Sequence, residues 1–226
     1  MLITRVPEKR YITGRSECRT CKTPLHAASL IPLLSFIWSK GKCRTCGSAI
    51  GYLYPFVELS SGLLFLLAFL VNRDIPSSVF MAAALWLLFV ISVIDFRTQT
   101  IADVFSILLG IVGVMYQNEI SSLHWSGALT GAGFFGVMWI LSKGRFIGSG
   151  DIILGGAIGF LLGSWHMMIA CLMVTYIFGA AIASILLLLG KIHRKSMVPF
   201  APFFALGAVF ILVFRDRVEW IFSLYF

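Results

Sequence analysis

Charge is what this chain has least of. Only 12% of its 226 residues are Asp, Glu, Lys or Arg, against a hydrophobic share of 59% and a mean hydropathy of +0.93. That leaves too little polar surface to cover a soluble globule of this length, so the expected fold is an all-α, polytopic helix bundle in a lipid bilayer. The net charge of +8 does not point to nucleic acid, because the basic residues lie in the first fifty positions and in short loops. Membrane topology accounts for that pattern, and no nucleic-acid partner is expected. A cleavable signal peptide is also missing: the apolar run after Met1 is only Leu2-Ile3 before Thr4 and Arg5. The N-terminus is therefore expected in the cytoplasm. The four histidines, His26, His124, His166 and His193, show no ligand spacing and are read as surface or interfacial residues.

What is present is a series of long charge-free runs. Nine of the eighteen Lys and Arg fall in residues 1–51, which are expected to form a basic cytoplasmic segment, with 52–226 as the transmembrane domain. Within the first segment Ala27 to Trp38 is apolar for only twelve residues. That is about 18 Å of helix against a hydrocarbon core of about 30 Å, so an interfacial or re-entrant piece is expected. Uncharged or nearly uncharged runs follow at Tyr52–Val71, Ile75–Ile94, Val104–Gln117, Leu123–Ser142, Ile152–Leu189 and Met197–Phe214. The 38 residues from Ile152 to Leu189 would make a helix about 57 Å long, so they are expected as two spans broken at Gly163-Ser164. About seven spans result. Only Glu58 lies well inside one, where an acid is costly and must face a polar cavity or pair with a base.

With the N-terminus inside, fifteen basic residues face the cytoplasm and three, Arg73, Arg215 and Arg217, face out. That asymmetry fixes the orientation. It brings Asp95, at the end of the second span, and Asp151, at the start of the fifth, to the cytoplasmic membrane face. A helix from Asp151 to Gly163 is about 20 Å long, short enough to draw the carboxylate below the surface.

Two motifs carry chemistry. Cys18-x2-Cys21 and Cys43-x2-Cys46 stand 21 residues apart, and four thiolates so spaced can close a tetrahedral, ribbon-type structural zinc site. A closed site leaves no open position, so it would hold the segment folded without hydrolysing anything. The other reading is free or redox-active thiols. The fifth cysteine, Cys171, is expected to be a small core residue. The second motif is Ile147-Gly148-Ser149-Gly150-Asp151. Two acids at one depth, Asp95 and Asp151, can share a proton, one acting as base toward water and the other polarising a carbonyl. Gly148 and Gly150 would let another backbone approach the acid. The plainer reading is that Asp151 caps its helix and Asp95 pairs with Arg97. Asp103, eight residues after Asp95, can cap the third span or support the pair.

Four blocks together resemble the type IV prepilin leader peptidases, membrane aspartic proteases of the Gly-x-Gly-Asp type. These are Arg5-Val6-Pro7 with Cys18-x2-Cys21; Ile31-Pro32-Leu33-Leu34-Ser35 through Cys43-x2-Cys46 to Tyr54-Pro55-Phe56-Val57-Glu58; Ile94-Asp95 with Ile101-Ala102-Asp103; and Gly148-Ser149-Gly150-Asp151 with Pro199-Phe200-Ala201-Pro202-Phe203. The resemblance implies Asp95 and Asp151 as the catalytic pair. It also implies prepilin or pseudopilin substrates cut at the cytoplasmic face of the bacterial inner membrane, and a metal at the cysteines. N-methylation of the product with S-adenosylmethionine is implied as a second activity. Three departures stand out: of the membrane helix that the family carries ahead of the Arg5-Val6-Pro7 block only Met1-Leu2-Ile3-Thr4 stands in this sequence, the lysine common two residues after the motif acid is Ile153, and Ala102 replaces a proline. The rival expectation is a non-enzymatic, zinc-stapled membrane scaffold for pilus or secretion assembly.

Overall fold

The structure, a computed structural model, describes residues 16–224 except 19, 27, 28, 30, 73, 121–124, 146, 194, 195 and 197. The Arg5-Val6-Pro7 block, Arg73, His124, Arg194 and Lys195 lie outside the described residues. The described residues contain helices and two isolated bridges but no strands, and the chain divides into two compact units, Met1–Leu67 and Ala68–Phe226.

In the first unit, among the described residues of the apolar stretch ending at Trp38, an α-helix covers Leu34–Trp38 (α1). The helix is shorter than the apolar run because the backbone turns sharply at both ends. Leu33 takes a left-handed φ of 59°, and Lys40 and Gly41 follow at 50° and 68°. The first long helix, α2, runs Leu53–Val71, with Pro55 in its first turn where a missing N–H costs nothing. None of the described residues from 16 to 67 is buried whole.

In the second unit the remaining apolar runs appear as α3 (Ile75–Thr98), α4 (Asp103–Ile120), α5 (Ser126–Ser142), α6 (Ser149–Leu162), α7 (Trp165–Leu188) and α8 (Ala201–Val213). With α2 these are the seven runs expected. By length and composition α2, α3 and α7 can cross a membrane, while α5, α6 and α8 are shorter apolar helices. The chain is thus an all-helical, multi-pass membrane protein. The 38-residue run breaks where length required: α6 ends at Leu162, Gly163 takes a φ of 86° that only glycine adopts freely, and Ser164 opens α7. A short amphipathic helix, α9 (Arg215–Ser223), follows Phe214 and has no counterpart among the apolar runs.

The core is built around α6, which packs against α4 and α5. Gly127 and Gly131 on α5 meet Gly159 and Gly155 on α6 in antiparallel fashion. A methyl group at Gly131 would run into the Gly155 carbonyl oxygen, and one at Gly159 into that of Gly127. The main chains come so close that the Gly127 N–H donates to the Gly163 carbonyl at 2.9 Å. Small residues four apart on facing helices are how membrane helices gain packing where lipid offers no hydrophobic drive. On the other side, α4 runs parallel to α6, with Gly113 against Leu161 and the Gln117 side-chain amide donating to the Leu161 carbonyl at 2.7 Å. Successive helices alternate in direction, so the end of α3 and the starts of α4, α6 and α8 gather at one end of the unit.

Candidate active site and metal cluster

Asp95 sits in the last turn of α3 and is only 5% exposed. Its Oδ2 accepts the Ala201 N–H at 2.9 Å, and the Phe200 N–H is a second main-chain donor. Both donors open α8, where the first N–H groups of a helix have no partner within it. In place of the Arg97 pairing that the plainer reading offered, Asp95 meets a helix N-terminus over a hundred residues away in sequence. Pro202 in the first turn of α8 fixes where that helix begins.

Asp151 is the third residue of α6, half-buried, and its Oδ2 accepts the Gly148 N–H at 3.0 Å. It does cap its helix, as the plainer reading held, but its charge also acts on that of Asp95. The two acids, from separate helix ends, thus stand within electrostatic reach of each other. The two motif glycines differ in what they permit. A side chain at Gly150 would press on the Ile101 side chain at 3.1 Å and on Asp103 Oδ1 at 3.2 Å, so the α3–α4 turn lies directly against it. At Gly148 the nearest atom is Oδ2 of its own Asp151, at 3.5 Å, which is ordinary contact. Asp103, exposed at the start of α4, is thereby placed beside Gly150.

One neighbour was not anticipated. Tyr176 of α7 feels the charge of Asp151, and its ring packs on Phe200 and Phe134 at centroid distances of 5.8 and 5.9 Å. It thus touches the residue whose N–H faces Asp95 and lies near the other acid. Its signal in the sequence was a phenol in the middle of a charge-free run; 39% exposed, its hydroxyl donates to the Met138 sulfur at 3.8 Å. Cys171, one turn away, is fully buried and serves packing, as expected.

Glu58 belongs to the first unit. Among the described residues it pairs with no base: its Oε2 accepts the Leu33 N–H at 2.7 Å, and it lines a cavity of about 240 Å³ with Cys18, Cys43, Phe36 and Tyr54.

The four cysteines converge in the same unit, their sulfurs all within 4.8 Å of one another, with Cys18 to Cys46 at 3.9 Å. Tetrahedral zinc with Zn–S of about 2.3 Å needs sulfurs about 3.8 Å apart, so the cluster fits a four-thiolate metal. Two matching turns build it. Cys-Arg-Thr-Cys occurs at 18–21 and again at 43–46, an identity that spacing alone does not require. In each copy the residue after the second cysteine is left-handed, Lys22 at 57° and Gly47 at 71°. Its N–H returns to the first cysteine's carbonyl, at 3.0 Å in one turn and 2.9 Å in the other. A hydroxyl two residues past the second cysteine touches its sulfur, Thr23 at 3.2 Å and Ser48 at 3.1 Å. Bonds from the main chain at Cys21 and Thr20, and from the Ser48 hydroxyl, lower the Cys18 thiol to about 6, which favours the thiolate a metal binds.

A helical, multi-pass bundle with a polar site at one end and a separate four-thiolate lobe defines the class of protein. Comparison with known proteins narrows it. Residues 1–72 match the bacterial peptidase A24 N-terminal domain, and residues 82–212 match the type IV leader peptidase family. The prepilin leader peptidase/N-methyltransferase of Bacillus subtilis (strain 168) is 32% identical over 217 residues, covering 92% of this chain and 84% of the relative. Those of Dickeya chrysanthemi and Aeromonas salmonicida (strain A449) are 33% and 30% identical, covering 91% and 93% of this chain and 75% and 76% of theirs. No solved structure matches the chain. The chain belongs to the type IV leader peptidase family.

Proposed function

We propose that this protein removes the basic leader of type IV prepilins or pseudopilins at the cytoplasmic face of the inner membrane, with Asp95 and Asp151 as its catalytic acids. The observation that carries the reading is the pairing of two carboxylates from separate helix ends, each held by main-chain N–H groups and close enough for their charges to interact. Such a pair shares one proton. The ionised member takes a proton from water as its oxygen attacks the scissile carbonyl, and the protonated member polarises that carbonyl's oxygen. The tetrahedral intermediate then expels the amine, which leaves with a proton returned by the acids. Gly150 and Asp103 support the pair by letting the α3–α4 turn close against it, and Gly148 supplies the N–H that holds Asp151.

N-methylation of the newly exposed amine with S-adenosylmethionine is the second activity, supported by the N-methyltransferase in the relatives' names. Zinc at Cys18, Cys21, Cys43 and Cys46 would organise the segment 1–51, while the transmembrane domain 52–226 carries out hydrolysis. Incubating the purified protein with a prepilin in lipid, followed by mass spectrometry of the product's N-terminus, reads cleavage, its position and methylation together. An intact leader after incubation with the wild-type protein would sink the peptidase assignment.

A further inference from the structure

Four large apolar side chains of the first unit stand in solvent on one side of a five-residue helix and its approach: Ile31, Leu34, Ile37 and Trp38, 40%, 47%, 66% and 60% exposed. Within the helix the spacing places Leu34, Ile37 and Trp38 on one face, with Ile31 exposed on the approach to it, whereas Phe36 folds the other way, onto Gly41 and the Tyr52 ring. An apolar cluster of this kind marks a surface that something covers. Three further observations in the same unit say what. From Ile31 to Arg44 the chain carries Lys40, Lys42 and Arg44 and no acid, so the apolar face ends in an exposed basic rim. The same unit contains the start of α2, a helix able to cross a membrane. And Glu58, five residues into α2, accepts the Leu33 N–H at 2.7 Å.

That last bond sets a depth. Five residues of helix advance about 7.5 Å, so Leu33 lies alongside α2 about 8 Å past its first residue. This is the depth, about 5–10 Å, to which interfacial apolar faces bury at the headgroup boundary. A main-chain N–H carried into the apolar layer needs an internal acceptor. It also explains an acid inside a span: Glu58 answers the one N–H that the left-handed Leu33 turns toward α2. Tryptophan beside lysines is the usual composition of such a boundary.

We propose that the Ile31–Trp38 segment is a lipid anchor. Ile31, Leu34, Ile37 and Trp38 insert into an anionic leaflet, Lys40, Lys42 and Arg44 lie among its headgroups, and Glu58 ties the segment to the span. The four-thiolate lobe, none of whose described residues is buried whole, is thereby moored on the membrane surface.

The test uses the full chain in vesicles of phosphatidylglycerol and phosphatidylcholine whose acyl chains are brominated near the headgroup. Subtracting the emission of Trp38→Phe isolates Trp38. Its emission should fall at least about twofold in brominated lipid, and the quenching should weaken when phosphatidylglycerol is removed or when Lys40, Lys42 and Arg44 are changed to Gln. Glu58→Leu should weaken it as well. A Trp38 emission indifferent to bromine, or one that changes with protein-to-lipid ratio as a second copy covers it, overturns the anchor. Equal quenching in pure phosphatidylcholine overturns its anionic partner.

Discussion

The thiolate lobe and the carboxylate end of the bundle solve opposite problems. In the lobe, four ligands come from two short turns of nearly the same sequence, no described residue from 16 to 67 is buried whole, and local hydrogen bonds shape everything. At the carboxylate end, Asp95, Asp103, Asp151, Tyr176 and the Phe200 and Ala201 N–H groups come from five helices, held in register by the buried core of the second unit. The lobe is a site that makes its own fold, and the acid pair is a site that a fold makes. The two should therefore fail in different ways.

The largest expected effect is at the acids. Asp95→Asn and Asp151→Asn should each lower the rate of leader removal by about a thousandfold or more while membrane insertion and helix content stay unchanged, because each keeps its size but cannot share a proton. A cleavage assay on both variants measures it, and appreciable cleavage by either removes that residue from the pair. Next comes the lobe. Chelation, or Cys43→Ser, should expose residues 16–52 to protease, since structural zinc contributes about 10 kcal/mol or more to folding a segment of this kind. The bundle's thermal transition should hold within a few degrees, and a bundle that melts with the lobe would erase the contrast between them.

A third substitution attacks the bundle from within. Gly155→Ala places a methyl group 2.5 Å from the Phe135 ring and 3.0 Å from the Gly131 carbonyl. It should cost about 1–3 kcal/mol of stability, read as a lower melting temperature in detergent, with metal content unchanged. The smallest effect belongs to Tyr176→Phe, which keeps the stacked ring and loses only the hydroxyl. A drop in kcat of about three- to tenfold, without loss of stability, is expected from altered electrostatics around Asp151. A variant with wild-type kinetics would assign Tyr176 to packing alone.

The same contrast explains what could be read from the sequence. The seven runs, the break at Gly163-Ser164 and the four cysteines are local signals, set by length, charge and spacing, and each reappears in the structure. The convergence of Asp95 with Asp151 was reached through topology and resemblance, because charge asymmetry puts both at one face without bringing them into contact. The α8 N-terminus opposite Asp95 and the phenol of Tyr176 stayed hidden. Their roles depend on which helices pack side by side, and in α5, α6 and α8 the apolar residues run all round the helix and leave no stripe to orient it. Glu58 does face a cavity, one of the two places expected of it, but its hydrogen-bond partner is a main-chain N–H, which no side chain announces.

The shortness of α6 has a consequence for the bilayer itself. At fourteen residues, about 21 Å, it falls well short of the hydrocarbon thickness, yet half of those residues are buried whole against α4, α5 and their neighbours. Lipid therefore meets the longer helices around it and bears little of the mismatch. The acid's depth is referenced to protein and not to the surrounding acyl chains, as a gauge block is to its frame. Cleavage rates in short-chain and long-chain phospholipids should accordingly agree within about twofold, far less than a lipid-facing helix of this length would allow.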